Sequence, residues 1–226
     1  MTYRLLAHSH KLTATMALTA LLAVVCQAKA AVLWDESVSG DLTNNQAAPN
    51  AFTLSTGTNA VIGSLRTSAS TDNQDWIALT VPAGLQLSAL VLKAYTSTDA
   101  QGFTGVQSGT NFVGSVNSPA SYLGYAHFGT GAQNGSLPAT NLVGVDILPI
   151  MGDTNLAAGS QGFVPPLLNG TYTFLIQQTG PSQTAYEFDY VVTAVPEPSA
   201  LLLAGLGVIV VFFVGRTRKD NATPDA

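Results

Sequence analysis

Short runs in which apolar and polar residues alternate dominate the middle of the chain, and they predict β-strands. In the run TAYEFDYVVTA (184–194), every second side chain is apolar and two carboxylates stand between them. Successive side chains of a strand point to opposite faces of the sheet. One face of this run is therefore expected to be buried, and it carries Tyr186, Phe188, Tyr190 and Val192.

Further runs of this kind recur between Gly, Pro, Asn and Ser residues. GTYTFLIQQ (170–178) places Tyr172, Phe174 and Ile176 on one face and turns Thr171, Thr173 and Gln177 away. The other predicted strands are DWIALTV (75–81), LQLSALVLKAY (85–95) and two strands in FTLSTGTNAVIGSL (52–65), around Thr56-Gly57. Many short strands with frequent turns and no long helical period predict an all-β fold. We expect an antiparallel, jelly-roll-like β-sandwich over residues 31–194.

The N-terminal 30 residues have the pattern of a secretory signal peptide. Arg4 and Lys11 precede an uncharged apolar stretch (12–25), and Ala28-Lys29-Ala30 offers a small-residue cleavage site. We expect signal peptidase to cut after Ala30. An uncleaved anchor is the alternative, but the stretch is short for a membrane span. A lipoprotein site at Cys26 is disfavoured because Val25, rather than a small residue, precedes it.

The C-terminal end carries three features in order. Val195-Pro196-Glu197-Pro198 comes first, 18 uncharged residues (198–215) follow, and Arg216, Arg218 and Lys219 close the segment. A helix of that length reaches about 27 Å, close to the thickness of a bilayer core. Basic residues beside a span stay in the cytoplasm, which predicts one transmembrane helix within 195–219, an exported domain and a cytoplasmic tail (220–226).

These features together resemble the PEP-CTERM sorting signal of Gram-negative bacteria. The resemblance implies recognition by an exosortase, a membrane enzyme resembling transpeptidases, and removal of the helix near Pro196, Glu197 and Pro198. It also implies a host that secretes exopolysaccharide, and a final location at the cell envelope, the surface or the extracellular matrix. The inner membrane would then be a transient anchor. A permanent anchor on a proline-rich stalk is the alternative.

The middle domain is similar, over parts of its length, to bacterial pre-peptidase C-terminal domains, which are small β-sandwiches of secreted proteins. The matching motifs are Asp75-Trp76, Val81-Pro82-Ala83-Gly84 and Gly170-Thr171-Tyr172. The stretch from about 102 to 168 does not follow that pattern. The resemblance therefore bears on both ends of the domain and leaves its middle open.

Charge and cysteine content narrow the partners. Residues 31–195 hold ten acidic and two basic residues, Arg66 and Lys93, which leaves a net charge of −8. Such a surface repels phosphate backbones, so nucleic acid is excluded as a partner. Cleavage after Ala30 removes Cys26, the one cysteine of the chain. The mature protein then has neither a disulfide nor a thiol nucleophile.

The inventory of catalytic side chains predicts that the protein is not an enzyme. The mature region has one histidine, His127, and neither a G-x-S-x-G nor an H-E-x-x-H motif. We expect His127 to be an ordinary strand residue. A glycosidase built on two carboxylates is the remaining enzymatic alternative, with its candidates drawn from Asp72, Asp75, Asp99, Asp146 and Asp153.

One polar cluster is a candidate for binding Ca²⁺. Asp72, Asn73 and Asp75 lie within TDNQD (71–75) and offer the carboxylate and amide oxygens that this ion prefers. The stretch lacks the full loop of an EF-hand. A solvated turn leading into the strand of Trp76 is the favoured interpretation.

These features predict an exported, non-enzymatic protein with a structural or adhesive β-sandwich, associated with exopolysaccharide or biofilm. The alternative is a carbohydrate-binding module for the host exopolysaccharide, because aromatic rings in polar loops stack on sugars. Its candidates are Phe103, Phe112, Tyr122, Tyr125 and Phe128. Ordinary inward-facing positions are the favoured interpretation for these rings.

Overall fold

The computed structural model describes residues 30–67 and 69–196 of the 226-residue chain. Three predicted features lie outside these residues: most of the predicted signal peptide, the predicted span (198–215), and the basic residues Arg216, Arg218 and Lys219. In the part of the chain that the structure describes, no helix is long and apolar enough to cross a membrane.

Four strands form the first sheet, in the order β1-β3-β9-β5. The sheet comprises β1 (Ala31–Asp35), β3 (Gly57–Leu65), β5 (Leu85–Thr96) and β9 (Thr184–Ala194). β9 is central and pairs antiparallel with both β3 and β5, whereas β1 adds to β3 in parallel. A short helix, α1 (Glu36–Ser39), directly follows β1.

Five strands form the second sheet, in the order β2-β4-β8-β6-β7. It comprises β2 (Asn50–Thr53), β4 (Gln74–Val81), β6 (Gly102–Ser108), β7 (Gly124–Phe128) and β8 (Gly170–Gln177). Its pairs are antiparallel except for β2 with β4. The long connection after β7 includes a second short helix, α2 (Leu148–Gly152). The two sheets form a sandwich, so the all-β prediction is confirmed.

The main core lies between the two sheets and uses the alternating positions of their strands. The predicted inward face of β9 is at most 2% exposed at each of its four aromatic and aliphatic positions. Phe188 contacts Phe128 edge to face at 5.0 Å between ring centroids, and Phe174 of β8 contacts Tyr190 at 5.3 Å. Burial of these large rings drives the two sheets together.

A second apolar cluster covers the outer face of the five-stranded sheet. Trp76 and Leu175 point outward from β4 and β8, and they pack against Phe112 and Tyr122. All four side chains are at most 2% exposed. Because this layer covers the sheet, Thr173 is fully buried rather than solvated, and its hydroxyl donates to the carbonyl of Gly109.

The predicted strands correspond closely to the observed ones. β9 has the predicted bounds, and β4, β5 and β8 each differ from their predicted bounds by one residue, at one end only. The two strands of 52–65 are also present as β2 and β3, but they belong to different sheets. The chain crosses from one sheet to the other between Leu54 and Thr56.

Candidate functional site

Three carboxylates converge at one end of the sandwich, although they are far apart in the sequence. Glu36 begins α1, Asp41 follows that helix, and Asp75 lies near the start of β4. One carboxylate oxygen of each lies within 4.8 Å of the others. Glu36 and Asp41 line an open cleft of about 380 Å³, together with residues that include Ser64, Arg66 and Asp72.

The loop after α1 is fixed against β4 by its backbone. The Asp35 side chain caps the helix by accepting from the amide of Ser37, as expected for a carboxylate at an N-cap. Further along, the amide of Trp76 donates to the carbonyl of Thr43 at 2.9 Å. This contact places Asp41 close to Asp75, the residue that precedes Trp76.

Hydrogen bonds from the adjacent strand hold the Glu36 carboxylate. Its Oε2 accepts from the amide of Ser64 at 2.6 Å and from the Ser64 hydroxyl at 3.0 Å. Its Oε1 accepts from the amide of Leu42 at 3.1 Å. The carboxylate is therefore preorganised. Oε1 retains a lone pair for a further contact, whereas Oε2 already accepts two hydrogen bonds.

Asp75 is fully buried, and one tyrosine hydroxyl reaches it. Tyr186 of β9 donates to Oδ2 of Asp75 at 2.6 Å. Gly63 faces Tyr186 across the β3–β9 pair, and an added Cβ there would collide with the tyrosine hydroxyl. Glycine thus makes room for this contact. Oδ1 of Asp75 has no hydrogen-bond partner among the described residues.

The environment of the cluster disfavours its negative charges. Burial raises the pKa of Asp75 well above its usual value, against the lowering effect of the Tyr186 hydrogen bond. The pKa of Asp41 is raised to about 6. The largest cause is partial burial, followed by the hydrogen bond and charge of Asp72 and then by Glu36. Asp41 is at the exposed side of the cleft, so water screens part of this repulsion. Burial foremost, and then Asp75, raise the pKa of Tyr186, which remains a donor.

The structure does not gather the three predicted Ca²⁺ ligands into one group. Asp72 pairs with Arg66, whose Nε lies 2.9 Å from Oδ2. Asn73 uses its carbonyl to accept from the amide of Gln178. Asp75 instead joins Glu36 and Asp41, and no sequence pattern grouped these two residues with it.

The remaining glycosidase candidates stabilise backbone turns. Asp146 accepts from the amides of Leu90 and Leu148. Asp99 accepts from the amide of Ser182, and Asp153 from the amide of Asn155. These three carboxylates have local structural contacts of their own, and the group of converging carboxylates includes none of them.

His127 is a half-buried strand residue, as the sequence interpretation expects. Its ring meets Phe103 nearly edge on, with 5.7 Å between centroids. Its backbone amide donates to the side chain of Asn134, whose amide group donates back to the carbonyl of His127. Burial lowers the pKa of His127, although a contact with the backbone of Gln133 opposes this shift.

The five aromatic candidates for carbohydrate binding are mainly interior. Phe112, Tyr122 and Phe128 are at most 2% exposed, so these three are packing residues, as favoured from sequence. Phe103 and Tyr125 are half-buried with ring centroids 5.5 Å apart, and the Tyr125 hydroxyl donates to the carbonyl of Ala158. Rings held in this way offer little free face for a sugar.

The C-terminal segment leaves the sandwich directly from its central strand. β9 ends at Ala194, and the amide of Val195 donates to the carbonyl of Gly84 at 2.9 Å. Pro196 is the next residue and the last that the structure describes. Glu197 and Pro198 lie outside the described residues, as does Ala28, whereas Ala30 immediately precedes β1.

Comparison with known protein families identifies this segment. A model described as the PEP-CTERM protein-sorting motif matches residues 194–219. Residues 194–219 are a PEP-CTERM sorting motif. The match includes the Val-Pro-Glu-Pro motif, the apolar stretch and the basic residues through Lys219.

The PEP-CTERM motif carries the general functional conclusion. It implies that the chain is an exported substrate of an exosortase, directed to the cell envelope or surface. Neither the curated proteins nor the solved structures gave a match to the chain. The resemblance of the sandwich to pre-peptidase C-terminal domains therefore stays a prediction.

Sequence reasoning found Asp75 but missed its partners. Glu36, Asp41 and Tyr186 join it through sheet packing, over separations of up to 111 positions. A buried carboxylate inside an otherwise apolar strand, DWIALTV, was the one available signal. It indicated a polar partner somewhere in the fold without naming it.

Proposed function

We propose that the processed protein is a non-catalytic, structural or adhesive component of the envelope or extracellular matrix, associated with exopolysaccharide. Signal peptidase removes residues 1–30 after the Ala28-Lys29-Ala30 site, and exosortase acts near Pro196–Pro198. The PEP-CTERM motif at 194–219 is the observation that carries this proposal. The motif accounts for export and processing, and the sandwich is the domain that is exported.

The chemistry of the described region supports a structural role. The aromatic side chains mostly pack inward, and Asp99, Asp146 and Asp153 hold backbone amides. The surface is acidic and carries few cations. A protein of this kind stays soluble in its exported form and resists nonspecific attachment to other polyanions.

The junction geometry also supports exosortase processing. The last described backbone hydrogen bond of β9 is made by Val195, one residue before Pro196. Cleavage near Pro196–Pro198 therefore spares every strand of the sandwich. Proline at positions 196 and 198 disfavours both helix formation and strand pairing, and we expect this to favour access by an enzyme.

A deletion strain tests the proposed role. Loss of the gene is expected to reduce cohesion of the cells and the amount of exopolysaccharide that remains attached to them. Wild-type complementation should restore both properties. The triple variant Pro196→Ala, Glu197→Ala, Pro198→Ala should fail to do so, because the chain is left unprocessed in the membrane. Pro224→Ala is the matched control, since it removes a proline outside the motif.

Two results would contradict the proposal. Unchanged cohesion and exopolysaccharide in the deletion strain would argue against a matrix role. Turnover of the matrix polysaccharide by the purified protein, abolished by a single Asp→Asn change, would establish the glycosidase alternative instead.

A further inference from the structure

The carboxylate cluster of Glu36, Asp41 and Asp75 has the composition of a cation site, and Arg66, which lines the adjoining cleft, is engaged by Asp72 outside the cluster. Residues 31–195 have two basic side chains. Arg66 forms a salt bridge with Asp72. The positive charge of Lys93 interacts with the Asp189 carboxylate: burial raises the pKa of Asp189, and Lys93 opposes that shift. Three carboxylates within 4.8 Å of one another repel unless a proton or a cation joins them.

Asp75 supplies an independent indication that something binds here. It is fully buried, yet its Oδ1 has no hydrogen-bond partner in the described part of the chain. Burying a carboxyl oxygen without a hydrogen-bond partner is costly. Two other buried side-chain atoms lack partners, Thr104 Oγ1 and Tyr190 Oη, but both belong to neutral hydroxyls.

The other two ligands are arranged to receive a cation with Asp75. Three donors fix the Glu36 carboxylate: the amide and hydroxyl of Ser64 and the amide of Leu42. Asp41 is exposed on the cleft side, so it offers an oxygen that an incoming ion can reach. The set thus runs from a buried oxygen to an accessible one.

We propose that Glu36, Asp41 and Asp75 bind one Ca²⁺ ion, with water from the cleft completing its coordination shell. This site goes beyond the sorting function and is independent of it. It retains one residue of the TDNQD turn, Asp75, and takes its other two ligands from α1 and the loop that follows.

Ligand chemistry and coordination flexibility favour Ca²⁺ over other ions. The set contains oxygen ligands and neither His nor Cys, which disfavours zinc and copper. Ca²⁺ binds oxygens at about 2.3–2.6 Å, so ligands on opposite sides of the ion are about 4.6–5.2 Å apart. The corresponding separation for Mg²⁺ is about 4.2 Å. The oxygens of the cluster all lie within 4.8 Å of one another, which accommodates either ion. Three carboxylates in an irregular arrangement suit Ca²⁺, which accepts flexible coordination, better than Mg²⁺, which demands near-ideal octahedral geometry.

Bound Ca²⁺ would join the N-terminal part of the mature chain to the sandwich. Glu36 and Asp41 belong to the segment after β1, whereas Asp75 belongs to β4 in the other sheet. The ion therefore links both sheets through their side chains. Ca²⁺ sites of extracellular modules have dissociation constants of about 10⁻⁴–10⁻³ M, and we expect this range for an exported protein.

Thermal unfolding and calorimetric titration test the site in protein produced from the full 226-residue sequence. Wild-type protein should show a rising Tm as CaCl₂ is added at constant ionic strength, and a smaller or absent rise with MgCl₂. Asp41→Asn should weaken Ca²⁺ binding by about tenfold or more, since even indirect support of a metal ligand is worth about 10–100-fold. Asp153→Asn is the control with the same charge change at another exposed carboxylate.

Tm values measured with EDTA and with Ca²⁺ distinguish a Ca²⁺ site from a cluster of carboxyl groups that share a proton. With EDTA, Asp41→Asn should have a Tm equal to or above that of the wild type, because repulsion is relieved. With saturating Ca²⁺ the order should reverse. If Asp41→Asn changes the Tm equally in both solutions, or if the wild type shows no Tm rise and no heat with millimolar Ca²⁺, the proposal is wrong.

Asp75→Asn provides a second variant, with the same volume and without the charge. It should fold in EDTA, because the Tyr186 hydroxyl can still donate to its amide oxygen. It should bind no Ca²⁺. Calcium binding that persists in this variant would overturn the assigned ligands.

Discussion

Asn59 and Gln178 are two buried polar side chains whose hydrogen bonds satisfy backbone groups. Asn59 is buried in β3, where its Oδ1 accepts from the amide of Ser55 and its Nδ2 donates to the carbonyl of Tyr190. The Gln178 side chain donates to the carbonyl of Ser182, which closes the turn between β8 and β9. Such contacts replace the water that these groups lose on burial. In contrast, Oδ1 of Asp75 is a buried carboxyl oxygen without such a contact among the described residues, which supports its proposed role as a Ca²⁺ ligand.

The residue scale also gives a pH dependence for folding, through His127. Burial lowers its pKa below the usual value of 6.5 in the folded protein. As the pH falls below about 6.5, His127 becomes protonated in the unfolded chain while it stays neutral in the folded protein. Stability should therefore decrease in this window, by the linkage between proton binding and folding. The effect is modest because the ring is only partly buried.

His127→Gln isolates this contribution, because glutamine has no charge to gain. Denaturant unfolding at pH 7 and at pH 5 should show a smaller loss of stability in this variant than in the wild type. Asp41 and Asp75 have raised pKa values, so their protonation increases stability as the pH falls. This effect is present in both proteins and cancels when their stability losses are compared. Equal losses in the two proteins would contradict the role assigned to His127.

At the scale of elements, an outer aromatic layer adds to the core between the sheets. Phe112 lies outside the strands, yet it packs at 5.0 Å from Trp76 and at 5.0 Å from Tyr122. Its amide also donates to the carbonyl of Gln46. The segment around it is therefore anchored to the five-stranded sheet by both side chain and backbone.

Phe112→Ala should lower the free energy of unfolding by about 3–5 kcal/mol, the usual cost of removing a buried phenylalanine ring. Denaturant unfolding followed by tryptophan fluorescence would measure it, since Trp76 loses a ring neighbour. Val113→Ala is the matched control, because this adjacent side chain is 67% exposed and should cost little. Similar losses for the two variants would contradict the assignment of a buried outer layer.

The strands were predictable from sequence because they depend on a local period of two. Tyr186, Phe188 and Tyr190 identified their own buried face without any knowledge of neighbours. The burial of Thr173 was not predictable, because it depends on a loop more than 50 residues earlier in the chain. The same reason separates Asp75, which the sequence singled out, from Glu36 and Asp41, whose proximity follows from the pairing of β1 with β3 and the packing of α1.

At the scale of the whole molecule, a folded sandwich is joined to a sorting segment without a spacer. The described part of the sandwich ends its backbone pairing at Val195, and the PEP-CTERM motif spans 194–219. The sandwich can therefore fold completely before exosortase acts. Its strongly acidic composition suits a protein that leaves the membrane surface once the basic C-terminal residues have been removed.

The intact mass of the native protein, from both the envelope and the culture medium, tests this account most directly. We predict a species that begins at Ala31 and ends near Pro196–Pro198, with allowance for any group that exosortase attaches at the new end. That mass would show that both processing steps occur. A species that retains the C-terminal segment through Ala226 would contradict the account, because the protein would then be a permanently anchored chain.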